Sequence, residues 1–136
     1  MSGAEEARHL LRMANTDLRA VRGMEDDETT FSDEVFGFHA QQAVEKALKA
    51  WLCLLGVVYP KTHDLDLLFE LLDEAGAHVP DEYQRLSNLV DFAVQYRYWA
   101  FEDTWELERT ATARAVASLL EFVARKVEEA GANQGE

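Results

Sequence analysis

Apolar residues recur along most of this chain at the three-to-four-residue spacing of an amphipathic helix, and β-branched alternating runs are few. Ala7, Leu10, Leu11, Ala14, Leu18 and Val21 fall on one stripe, which predicts a first helix over roughly residues 4 to 22 with Gly23 beyond its end. Residues 24 to 30 read as an acidic loop. Ser32 is placed to cap a second helix, with Phe31 before it packing back on the first turn and Gly56 following the last periodic residue near Leu55. Pro60 forbids continuation through the connector 56 to 62, and Thr62 is placed to cap a third, short helix ending before Gly76. A fourth helix is predicted from Pro80 to about Trp99. Asp103 with Glu106 resembles a capping box and opens a fifth helix that aligns Trp105, Thr112, Val116, Leu119, Leu120, Val123 and Val127. The tail, Gly131 to Glu136, is expected to fray.

Short connections between long amphipathic helices favour antiparallel neighbours. The expected fold is therefore all-α, an up-and-down bundle of four long helices plus a short extra helix. With 136 residues the whole chain, 1 to 136, fits a single domain, and its 48% hydrophobic content supports a core without staples. Cys53 is the only cysteine, so an intramolecular disulfide and a cysteine-based zinc site are excluded. No apolar run approaches the ~18 residues of a membrane span. The start, Met-Ser-Gly-Ala-Glu-Glu, lacks the basic and apolar regions of a signal peptide, so a soluble, cytoplasmic protein with no membrane partner is expected.

Thirteen Lys and Arg against 26 Asp and Glu leave a net charge of -13, which disfavours nonspecific nucleic-acid binding over a broad surface. Glu25, Asp26, Asp27, Glu28, Asp33 and Glu34 account for six of those carboxylates without a base among them. The remainder carries -13 + 6 = -7, and a local basic pocket stays open to it.

Two faces depart from a plain bundle. On a helical wheel of residues 35 to 55, Phe36, Ala40, Ala43, Val44, Ala47, Leu48, Trp51 and Leu55 form the core face, while His39, Gln42, Glu45, Lys46 and Lys49 gather opposite. Val35 and Phe38 fall inside that polar arc, either as a partner surface or tucked under the adjacent loop. On the fourth helix Tyr83, Leu86, Val90, Ala93 and Val94 share a stripe whose next position is Arg97. A guanidinium on a core-facing line must snorkel, pair with a carboxylate or line a polar cleft. Arg109 follows Trp105 by one turn, which suits a stem packed on the ring. Asp64, near a helix start, suits a dipole partner. The histidines His9, His39, His63 and His78 show no metal-ligand spacing, and no phosphate loop, nucleophile elbow or other local catalytic motif occurs. Neither a metal nor a cofactor is expected.

The run Phe38-His39-Ala40-Gln41-Gln42-Ala43-Val44-Glu45-Lys46-Ala47-Leu48-Lys49-Ala50, then Gly56, Tyr59-Pro60-Lys61-Thr62-His63-Asp64-Leu65 and Arg97-Tyr98, resembles the HEPN family. Asp17-Leu18 matches that family's opening pattern, and the resemblance covers roughly residues 8 to 125. It implies an all-α bundle that commonly dimerises and is often encoded beside a minimal nucleotidyltransferase as a toxin-antitoxin pair. It also implies nucleotide binding, and for many members metal-independent ribonuclease activity. The nuclease branch carries an Arg followed after four to six residues by His. Arg97 matches the arginine and is the candidate catalytic residue, but Tyr98-Trp99-Ala100-Phe101-Glu102-Asp103-Thr104 follows and the histidine is absent.

On the resemblance, His39, Gln42, Lys46, His63, Asp64, Arg97 and Tyr98 are expected to line a cleft for a nucleotide or RNA phosphate, with Arg97 and Lys46 as cationic clamps. Val35, Phe38, Trp99 and Phe101 are the expected contacts of a homodimer, because four aromatics between Tyr96 and Phe101 exceed what one helix face buries. The leading expectation is a dimeric interaction and nucleotide-binding module that partners a minimal nucleotidyltransferase. The alternative is a toxin ribonuclease using Arg97 with another second residue such as His39 or His63. A third reading has the motif residues serving only packing and dimerisation.

Overall fold

The computed structural model describes residues 2–89 and 108–134. Among these residues every regular element is helical. They are α1 Gly3–Met24, α2 Asp33–Leu54, α3 Leu65–Glu74, α4 Asp81–Gln84 followed by a 3-10 turn over Arg85–Leu89, and α5 Arg109–Gln134. No helix among the described residues is long and apolar enough to cross a membrane.

Local chemistry sets most of the boundaries. Ser2 caps α1 by accepting from the Glu5 N–H at 3.2 Å, and Ser32 caps α2 by accepting from the Val35 N–H at 3.3 Å. Acidic Glu5, Glu6, Asp33 and Glu34 sit in the first turns of these two helices, where the helix dipole favours them. α2 and α3 stop at Gly56 and Gly76, both with positive φ. There the Val57 N–H donates to the Leu52 carbonyl and the Ala77 N–H to the Leu72 carbonyl, closing Schellman turns that a Cβ would strain.

α1 and α2 form an antiparallel hairpin, with Gly3 against the Cys53 carbonyl at one end and Asp17 against His39 and Lys46 in the middle. α5 packs along both. Its Phe122 ring lies 5.3 Å from Trp51 of α2 and 5.5 Å from Tyr83 of α4, and the Tyr83 hydroxyl pairs with Ser118 at 2.7 Å. The core comprises Leu18 and Val21 of α1, Phe36, Val44 and Leu48 of α2, Leu68 and Leu72 of α3, and Val116, Leu119 and Val123 of α5. Each such side chain contributes ~1.5–3 kcal/mol by leaving water.

The all-helical expectation holds among the described residues. Three of the helices are long, at 22, 22 and 26 residues. The expected fourth, from Pro80 to Trp99, begins as a single α-turn that tightens to 3-10 geometry, and its remainder lies outside the described residues together with Trp105 and the Asp103–Glu106 capping box.

Several expectations are corrected. α1 runs through Gly23 to Met24, because an exposed glycine with nothing within 4 Å of its Cβ position is compatible with helix. Leu55 leaves the core face, at 43% exposure, because α2 has ended and the chain is already turning. Asp64, and not Thr62, caps α3; its carboxylate accepts from the Asp66 and Leu67 N–H groups, while Thr62 Oγ1 accepts from Asp64 N. α5 continues through Gln134, into the segment expected to fray.

Candidate functional site

The polar side of α2 is where the molecule spends most of its buried charge. His39, Gln42, Lys46 and Lys49 follow one another at steps of three, four and three residues, so they form one line along the helix. A carboxylate that enters the protein interior anchors each half of that line.

The first anchor is Asp17, 9% exposed although it sits in α1. Lys46 Nζ donates to its Oδ2 at 2.6 Å, and His39 Nδ1 lies 3.2 Å from its Oδ1. The charge is tolerated there because an ammonium and an imidazole replace the lost water. The signal in the sequence is a polar residue on a core stripe: Asp17 lies three residues after Ala14 and four before Val21, both fully buried.

The second anchor is Glu45, 4% exposed. It lies on the polar arc opposite the core face, as expected, and is buried there because the connector 56–64 folds back over that side of α2. Gln41 Nε2 donates to Glu45 Oε1 at 3.0 Å, Lys49 Nζ to Oε2 at 3.0 Å, and His63 Nδ1 lies 2.8 Å from Oε1. Burial by itself would push the Glu45 carboxyl up. The hydrogen bonds from Gln41, His63 and Lys49, with the Lys49 charge, outweigh it and hold the group below its ordinary value.

Two of those donors also hold the backbone of the connector. Gln41 Nε2 donates to the His63 carbonyl at 3.2 Å and Lys49 Nζ to the Thr62 carbonyl at 3.0 Å. The Lys49 ammonium additionally sits 5.6 Å from the Tyr59 ring centroid. Gln42 extends the network outward, donating to Gln41 Oε1 at 2.7 Å. Gln41, wholly buried, was missed by sequence reasoning, although its position between Gly37 and Val44 puts an amide on a core line.

The cluster is therefore electrically balanced: Lys46 and Lys49 against Asp17 and Glu45 sum to +2 - 2 = 0, in a chain of net charge -13. An anionic ligand meets less repulsion here than over the acidic remainder of the surface. His63, with 60% of its side chain exposed, and His39, at 35%, are its accessible members.

The structure brings His39, Gln42, Lys46 and His63 into this cluster. Asp64 has gone elsewhere, to the N-terminus of α3, where both its contacts are backbone N–H groups. Val35 and Phe38 are half-buried at the start of α2, and the Phe38 ring meets the His39 ring edge-on at 5.5 Å. Arg97, Tyr98, Trp99 and Phe101 lie outside the described residues. Among the described residues no group of three or more His, Cys, Asp or Glu side chains is arranged to hold a metal ion.

Arg109 is buried as well. Its guanidinium is 4% exposed and lies 5.1 Å from the Phe36 ring centroid. Nη1 donates to the Met24 carbonyl at 2.8 Å, Nη2 to the Phe31 carbonyl at 2.6 Å, and Nε to Asp33 Oδ1 at 3.0 Å. It clamps both ends of the acidic loop between α1 and α2; Trp105, on which its stem was expected to pack, lies outside the described residues.

A family model described as HEPN domain matches residues 7–130 of the chain. No curated protein and no solved structure matches it.

Proposed function

The chain belongs to the HEPN domain family, and from that premise we propose that it is a dimeric interaction module that binds a nucleotide along the polar line of α2 and partners a minimal nucleotidyltransferase in a toxin-antitoxin-like pair. The observation that carries the binding reading is the charge-balanced line along α2: two interior carboxylates, Asp17 holding His39 and Lys46, and Glu45 holding Lys49 and His63. A merely structural bundle does not need four cationic or imidazole groups tied to two buried anions, because apolar residues of similar size stabilise a helix pair as well or better. His39 Nε2 and the Gln42 side-chain carbonyl suit the donors of a base, and Lys46 suits a phosphate at the edge of the cluster. Val35 and Phe38 with Trp99 and Phe101 are the proposed dimer contacts, and Arg97 with Tyr98 the proposed far side of the cleft.

Calorimetric titration of the full chain with ATP and GTP tests the binding reading, and light scattering at micromolar concentration tests the dimer. An affinity weakened by up to ~10-fold in Gln42→Ala, with the melting temperature kept, is expected, since one hydrogen bond to a base contributes ~0.5–1.5 kcal/mol. No heat with any common nucleotide, together with a monomeric mass, would refute the module.

One contact favours a second reading, a metal-independent ribonuclease in which Arg97 works with a residue other than the motif histidine. It is the 2.8 Å approach of His63 Nδ1 to the buried Glu45 carboxylate. RNA cleavage in chelator that is abolished in a folded Arg97→Ala variant is the expected result on that reading, and no cleavage by the wild type ends it.

A further inference from the structure

From the Glu45–His63 contact we infer that His63 is the proton-transfer residue of this site and that Glu45 is its positioning residue. The inference rests on the second reading above and supplies the group that Arg97 lacks. Glu45 is 4% exposed and held ionised by Gln41 and Lys49. An ionised carboxylate only accepts, so the proton on the 2.8 Å contact belongs to His63 Nδ1. In the neutral tautomer that this contact selects, Nε2 is the unprotonated nitrogen, and the side chain is 60% exposed. An Nε2 lone pair, with the opposite nitrogen tied to a buried anion, is the arrangement that readies an imidazole to accept a proton and steadies the imidazolium that results.

The backbone is fixed as well as the ring. The Gln41 and Lys49 donors that hold Glu45 also hold the His63 and Thr62 carbonyls. His63 is thus tethered through its ring and through its chain, which limits the freedom it would lose on meeting a substrate. His39 is the poorer choice: its contact to Asp17 is longer, at 3.2 Å, and Asp17 is already engaged by Lys46 at 2.6 Å.

The substrate class is a phosphodiester carrying a neighbouring hydroxyl. In the step, the ribose 2'-oxygen bonds to phosphorus as its proton passes to His63 Nε2. The bond from phosphorus to the 5'-oxygen breaks, leaving a cyclic phosphate, and the departing oxygen takes a proton from water. The hydroxide so formed removes the proton from His63, restoring the neutral ring. No metal or further reactant enters the balance.

The test uses the full chain on a pool of structured RNA in chelator. His63→Ala is expected to lower kcat by ~100-fold or more, the usual range for losing a general base, with KM within ~2-fold. Free imidazole added to His63→Ala restores cleavage, which a loop-anchoring role would not do. Glu45→Gln lowers kcat by ~10-fold or more while KM holds. Should Glu45→Gln fail to fold, nitrogen-15 shifts of His63 in the wild type report the same point: the proton resides on Nδ1. Cleavage that is lost in Arg97→Ala but unchanged in His63→Ala overturns the inference and leaves the ribonuclease reading intact. A ring protonated on Nε2, or cleavage lost in His39→Ala and kept in His63→Ala, overturns it equally. Absence of wild-type cleavage removes both together, with nucleotide binding judged by its own titration.

Discussion

Replacing Arg109 by methionine should cost more stability than any surface change in this protein. The substitution keeps an unbranched apolar stem over Phe36 and removes the guanidinium. Two carbonyls, of Met24 and Phe31, then lose donors at 2.8 and 2.6 Å, and Asp33 loses its partner at 2.9 Å. Removing a charged donor from a buried acceptor costs ~1.5–3 kcal/mol each, and breaking a buried charge network ~3–5 kcal/mol in all. Asp33, whose side chain is 54% exposed, rehydrates when left alone, so Asp33→Asn should cost no more than ~1 kcal/mol. Arg109→Lys keeps the charge but cannot span three acceptors, and should fall between. Urea unfolding followed by circular dichroism measures all three. At an m-value of ~1.5 kcal/mol/M the Arg109→Met midpoint drops by ~2 M or more with the slope unchanged. A loss below ~1 kcal/mol for Arg109→Met, or equal losses for Arg109→Met and Asp33→Asn, would refute the claim that the carbonyl contacts, and not the ion pair, carry the clamp.

Two further outcomes follow from the same contacts. Because the Glu45 carboxyl is held below its ordinary value of 4.5, its contribution to stability is present above that pH and is lost as pH falls through the lower folded-state value; the stability gap between wild type and Glu45→Gln, measured by urea midpoints, should therefore be wide at pH 6 and narrow steadily below about pH 4.5, and a gap that widens on acidification contradicts the network. Glycine to alanine should have opposite signs at two sites in α1. A Cβ at Gly3 would stand 2.6 Å from the Cys53 carbonyl and force α1 away from α2, costing ~1–3 kcal/mol, whereas Gly23 has open space and should gain ~0.5–1 kcal/mol from helix propensity. Thermal melts that move in the same direction for both variants would sink that pairing.

What could be read in the sequence was what depends on near neighbours. The Ser32 cap, the stops at Gly56 and Gly76, and the buried stripes of α1 and α5 arise between residues one to four positions apart, where helix geometry is the same whatever surrounds it. The family was legible for a related reason, since the run from Phe38 to Ala50 and the run from Tyr59 to Leu65 are contiguous strings. The cap of α3 was misplaced by two positions, because Thr62 and Asp64 are both cap-forming residues and only the packed chain shows that Asp64 accepts from the helix N–H groups.

Tertiary structure alone decided the partners of Asp17, Glu45 and Arg109. Lys46 reaches Asp17 across 29 residues, His63 reaches Glu45 across 18, and Arg109 reaches Met24 across 85. The register of the α1–α2 hairpin brings the first pair together, and the return of the connector over α2 brings the second. For Arg109 the acceptors are backbone carbonyls, which every residue possesses and no side-chain pattern marks. A charge can be seen in a sequence; whether it is buried, and what replaces its water, is set by the packing of segments far apart in the chain.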